Sequence, residues 1–186
     1  MLLVMRQRPM IASEEKMAEV RTKCGRTIDE ILAKAGEYDL YEILGAVEVL
    51  VGSKIYQKLP TTLGERLVFA CKWLAIEVQN GGFDQYFFNS AGDFWKDVLD
   101  GLQIIGDERG LASFREVLSI FPDASPSPER FTRQDQLSAL EEHNEKRFSK
   151  HFEKVSRKFW REPFPNWELV YDYVKTHTNE FDLRAA

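Results

Sequence analysis

The chain has 186 residues, 44% of them hydrophobic, with 25 lysines and arginines against 30 aspartates and glutamates. That length and apolar content suit one folded domain and exclude extended disorder, and no apolar run nears the ~18 to 20 residues that cross a bilayer. Residues 1–5 are apolar but Arg6 and Arg8 follow too early for a secretory signal, and Cys24 and Cys71 lack CxxC spacing, so the chain reads as cytoplasmic with both cysteines as core hydrophobes.

In chain order, helix signals recur and strand signals hardly appear. Residues 1–12 read as an N-terminal extension, and residues 13–186 as one helical domain. Thr27 and Glu30 have capping-box spacing before Ile31 and Leu32, and Gly36 closes that short helix. Asp39 caps the next, with Leu40, Ile43, Leu44, Val47 and Leu50 at spacings of three and four. Thr62 and Glu65 form a second box, opening a helix striped by Leu67, Phe69, Trp73, Leu74 and Val78 that is expected to stop at Asn80, Gly81 and Gly82. Asp93 is expected to cap a helix through Val98 and Leu102 that ends at Gly106, and Asp107 one through Phe114 and Val117 that Pro122 stops.

The loop at 122–130, with prolines at 122, 126 and 128, is the one clear break of low order and the candidate hinge. From Thr132 a highly charged stretch runs to about Arg161, where Pro163 and Pro165 break it, and 167–177 reads as the last helix. The fold class is therefore all-α, a single compact domain of about seven to nine helices with little or no sheet.

Charge is unevenly spread. Residues 61–130 hold 11 acids and 6 bases, whereas the segments on either side balance. Asp84, Asp93, Asp97, Asp100, Asp107 and Glu108 fall in that stretch, and on a helix advancing ~100° per residue Asp93, Asp97 and Asp100 project in nearly one direction, with Asp107 extending the row. Such a surface repels phosphate and attracts cationic partners; the alternative is the solvated face of an amphipathic helix. Farther on, Lys146, Arg147, Lys150, Lys154, Arg157, Lys158 and Arg161 alternate with Glu141, Glu142, Glu145 and Glu153, which reads as a solvated helix of opposite-charge pairs and not as a nucleic-acid contact.

The most specialised segment is residues 80–92, with four aromatics, three amides and three glycines. It has two readings. As a helix junction, Gly81 or Gly82 takes positive φ, Asn80 and Asn89 satisfy loose backbone groups, and Phe83, Tyr86 and Phe87 form an apolar face. As a pocket, Glu77, Asn80, Gln85 and Asn89 converge between aromatic walls to recognise a small ligand, since amides bind well and transfer protons poorly.

Catalytic and metal signatures are missing. His143, His151 and His177 have no glutamate three residues before them, and HExxH, GxSxG, GxxxxGK and GxGxxG do not occur. No cofactor and no metal is expected.

The run of Glu77, Asn80, Gly81, Gly82 and Phe83, then Gln85, Tyr86 and Phe87, then Asn89, Ser90 and Gly92, resembles the signature of the DNA-mimic-protein (DMP) family, with further similarity across about residues 40–180. The resemblance implies an all-α fold and a non-catalytic protein that imitates the charge pattern of DNA to occupy a basic, DNA-binding protein. An immunity protein against a cationic nuclease toxin is the close variant. No membrane and no direct nucleic acid is expected as partner, and a small-ligand binder or enzyme using the amide pocket is the reading from another class.

Overall fold

Side-chain caps set the helix starts. In the computed structural model, which describes Glu19 and residues 22–183, helix α1 (Ile28–Leu32) and helix α2 (Leu40–Tyr56) each begin at a reciprocal capping box, Thr27 with Glu30 and Asp39 with Glu42. Helix α3 (Leu63–Phe88) starts the same way, with Thr62 and Glu65 each accepting the other's backbone N–H. There follow α4 (Trp95–Ile104), α5 (Glu108–Leu118), α6 (Arg130–His143), α7 (Glu145–Arg161) and α8 (Trp167–Thr176), with single 3-10 turns at Ser90–Phe94, Pro122–Ala124 and Thr178–Glu180. The fold is all-α: among the described residues there is no strand, only one isolated bridge between Ala35 and Tyr38. Residues 1–12, the expected N-terminal extension, lie outside the described residues.

Three local expectations are corrected. The helix that opens at Thr62 does not stop at Gly82: it breaks there, with φ 89° and ψ −178°, and restarts at Phe83. Asp93 does not cap α4; it sits inside the preceding 3-10 turn, and the N-cap Phe94 makes no side-chain cap bond. The proline-rich loop is pinned to α6, because Pro126 is buried, Ser127 N–H donates to Gln136 Oε1 at 2.7 Å, and Ser127 C=O accepts from Arg133 at 2.8 Å.

Helix α3 organises the molecule because its two halves serve different cores. Leu67, Val68, Phe69 and Cys71 pack with α1, α2, α8 and the C-terminal Phe181 and Leu183. Leu74, Val78, Phe83, Tyr86 and Phe87 pack with α4, α5, α7 and Phe164. The second core is chiefly aromatic: Phe83 meets Phe159 edge to face with centroids 5.7 Å apart, and Phe87 meets Phe121 at 4.9 Å.

A buried ion pair closes the end of the first core. Lys54 Nζ on α2 lies 2.6 Å from Glu65 Oε1 at the head of α3, and the two side chains are 4% and 0% exposed. Lys54 also donates to the Asp182 carbonyl at 2.8 Å, so the pair fastens α2, α3 and the C-terminal segment together. Two charges this deep are stable only with their remaining hydrogen-bonding capacity filled, which the Glu65 Oε2 bond from Thr62 N–H helps to supply.

Candidate functional site

Breaking a helix at Gly82 strands backbone groups on both sides, and the specialised segment with its neighbours satisfies them. Ser156 Oγ on α7 accepts from Phe83 N–H at 3.0 Å, and one turn on Trp160 Nε1 donates to the Val78 carbonyl at 3.0 Å. Glu77, before the break, accepts from Gln85 Nε2 at 2.7 Å and Asn89 Nδ2 at 2.8 Å, both after it, and so clasps the two halves of α3. Gly82 has a positive φ that side chains other than hydrogen resist, and a Cβ there would stand 2.8 Å from Ser156 Oγ. At Gly81 a Cβ would fall 2.0 Å from Gln85 Oε1, so its absence lets the Gln85 amide cross to Glu77.

Of the two readings of the segment, the geometry therefore matches the junction. Phe83, Tyr86 and Phe87 are fully buried, and burial pushes the Tyr86 phenol well above its ordinary value. The four polar residues do not converge on a pocket: Gln85 and Asn89 spend their amides on Glu77, and Asn80 is exposed with no side-chain hydrogen bond among the described residues. The positive φ falls on Gly82, not Gly81. Asn80 is the one polar signature residue that no contact explains.

Arg133 does more for this segment than any residue within it. Fully buried, it donates from Nε to the Phe87 carbonyl at 2.6 Å, from Nη2 to the Asn89 carbonyl at 2.8 Å, and from Nη1 to Ser127 C=O at 2.8 Å. It thus caps the open C-terminal end of α3, where a cation also suits the helix dipole. Nη2 further pairs with Asp93 at 2.7 Å. Burial nonetheless raises the Asp93 carboxyl above its ordinary value, outweighing the opposing hydrogen bond from Arg133. Gly92 is needed for this approach, since a Cβ would stand 2.8 Å from Arg133 Nε and 2.9 Å from the Tyr86 carbonyl. The roles of Arg133, Ser156 and Trp160 in this segment are not legible in the sequence, because Asn89, Phe83 and Val78, which they bond, lie 44, 73 and 82 positions away. A signal existed for Arg133: four residues before Leu137 and seven before Leu140, it occupies the apolar stripe of α6.

The expected row of carboxylates is largely dismantled. Asp93 is bound to Arg133, Asp97 pairs with Arg66 Nε at 2.9 Å, and Asp107 is buried, accepting from Gly110 N–H as the cap of α5 and from Asn166 N–H. The physical reason is economy of charge: these acids flank helix ends and cations in the fold, and each is used there. Asp100, 43% exposed, makes only a 3.3 Å contact with Lys96 one turn away. Asp84 and Glu108 are exposed and have no ion pair among the described residues.

Among the described residues, both cysteines and two of the histidines are held by the fold. Burial pushes the Cys71 thiol up to about 12, and both cysteines are buried. His151 Nε2 lies 3.0 Å from the Val117 carbonyl and His177 stacks on Tyr173. Among the described residues no three His, Cys, Asp or Glu side chains stand together as a metal site, and no helix is long and apolar enough to cross a membrane.

The clasp, the Gly82 break and the Arg133 cap all fall inside the span recognised on comparison with known families. No curated protein and no solved structure matched the chain significantly. A family profile described as DMP19-like protein matches residues 60–177, well over half of the sequence, and the chain belongs to the DMP19-like protein family.

Proposed function

We propose that the protein acts by docking a basic, DNA-binding protein, its exposed carboxylates standing in for the phosphates that such a protein grips. Membership of the DMP19-like family across residues 60–177 is the observation that carries this reading. Glu77, Gln85 and Asn89 of the signature are spent on one another, which favours a binding role over a catalytic one. The docking surface centres on the exposed Asp84 and Glu108 and the partly exposed Asp100, with the more buried Asp93 and Asp97 supplying negative potential already partly offset by Arg133 and Arg66.

The test is capture of partners from a nuclease-treated lysate of the native cell by the full chain, with D84N/D100N/E108Q as comparison. Neutral isosteres leave the Arg133–Asp93 and Arg66–Asp97 pairs intact and remove only the exposed contact of Asp100 with Lys96. The reading expects a DNA-binding protein that is retained by the wild type, is released as ionic strength rises and by duplex DNA, and is lost by the variant. Equal retention by the triple variant overturns it.

A further inference from the structure

We propose that the outer face of α7 binds a nucleic-acid strand through its phosphates. The helix places Phe152, Val155, Ser156 and Phe159 in the core. At 3.6 residues per turn, its seven lysines and arginines, Lys146 to Arg161, then fall within an arc of roughly 120° centred opposite that core. Neither Glu145 nor Glu153 lies inside that arc: Glu145 projects toward the core side at the first turn, and Glu153 lies at the margin. The alternation of charge seen along the chain, from which no nucleic-acid contact is expected, is thus sorted by the helical period into an arc to which α7 contributes seven cations, with Glu153 and Glu162 at its rim.

Neutralisation of this face is partial. Glu116, reaching over from α5, is shared by Lys154 and Lys158 at 2.7 and 3.0 Å, and Glu153 pairs with Arg157 at 2.6 Å. Among the described residues Lys146, Arg147, Lys150 and Arg161 have no carboxylate within ion-pair distance. Two shallow grooves of about 480 and 500 Å³ share Lys150 and Lys154 and together follow the length of the helix. Its 17 residues extend roughly 25 Å, room for a strand of a few nucleotides, near the lower end of the ~4 to 16 nucleotide range of known single-strand sites.

Two observations choose the occupant. Insertion into a membrane would need a free apolar face, and the apolar face of α7 is already committed to the core. Beside the cationic arc stands Trp160, 48% exposed, its N–H fixed by the Val78 carbonyl so that the ring is held in place with a surface open for a base to stack on. An acidic protein segment would leave that ring unused.

The experiment is fluorescence anisotropy of a labelled twenty-nucleotide thymidine strand with the full chain, compared with K146E/R147E/K150E and with W160L, folding being checked by circular dichroism. With four unpaired cations, the expected salt slope for a single strand is about −3, so affinity should fall about 50-fold between 50 and 200 mM salt. The triple reversal should weaken binding at least tenfold, and W160L several-fold. D84N/D100N/E108Q should leave it unchanged or slightly tighter, which separates this face from the protein-docking one. Absence of binding at 50 mM salt, or an unaffected triple variant, overturns the proposal. So does equal displacement by polyglutamate, which would assign the face to an acidic protein, or equal binding to phosphatidylserine vesicles.

Discussion

Arg133 shows how one side chain decides the geometry of a segment 44 residues away. Replacing it with methionine keeps much of the volume but leaves Asp93 without its partner and the Phe87, Asn89 and Ser127 carbonyls without donors. A buried acceptor left without its donor typically costs about 1–3 kcal/mol, so urea unfolding should show a stability lower by at least about 2 kcal/mol, read as a lower midpoint at an unchanged slope. A second residue-scale expectation concerns Gly82. Alanine there must adopt the positive-φ, extended-ψ backbone and press on Ser156, a penalty on the order of 1–3 kcal/mol from the backbone alone, whereas Asn80→Ala should be nearly silent in the same assay. Cys71 supplies a chemical readout: with its thiol buried and pushed up to about 12, it should resist alkylation in the native protein and react only as the chain unfolds.

Between elements, two charge contacts make opposite kinds of prediction. Lys54 and Glu65 are buried, so Lys54→Met strands a carboxylate inside the fold and should destabilise by about 3–5 kcal/mol. Adding Glu65→Gln, which removes that charge and keeps an acceptor for Thr62, should recover most of the loss in a double-mutant cycle. Glu116 lies nearer the surface, and hydrogen bonds from Lys154 and then Lys158 hold its carboxyl below its ordinary value of 4.5. A carboxyl lowered on folding stabilises the protein above that ordinary value and loses the contribution as pH falls through and below it. Thermal unfolding of wild type and Glu116→Gln should therefore differ at pH 7 and converge toward pH 3; a difference that persists at pH 3 would contradict the assignment.

Across the molecule, what could be read from the chain follows the range of the interactions involved. Two of the three capping boxes, the Asp39 and Asp107 caps, the Gly106 stop and the buried stripe of Phe83, Tyr86 and Phe87 were legible, because a cap and a stripe are written in residues three or four apart. The cationic arc of α7 was present in the same register and was obscured only by reading charges along the line of the chain instead of around the helix. By itself, then, the sequence determined an all-α fold, the helix starts at Thr27, Asp39, Thr62 and Asp107 and a positive-φ break at Gly81 or Gly82, since local hydrogen bonds and 3.6-residue periodicity fix these. Only the tertiary structure decided that the helix resumes after Gly82, that Glu77, Gln85 and Asn89 form a clasp and no pocket, and that Asp93, Asp97 and Asp107 are consumed within the fold. Each of those outcomes depends on which distant cation or donor the packing brings alongside, and charge is compensated in space, not along the chain.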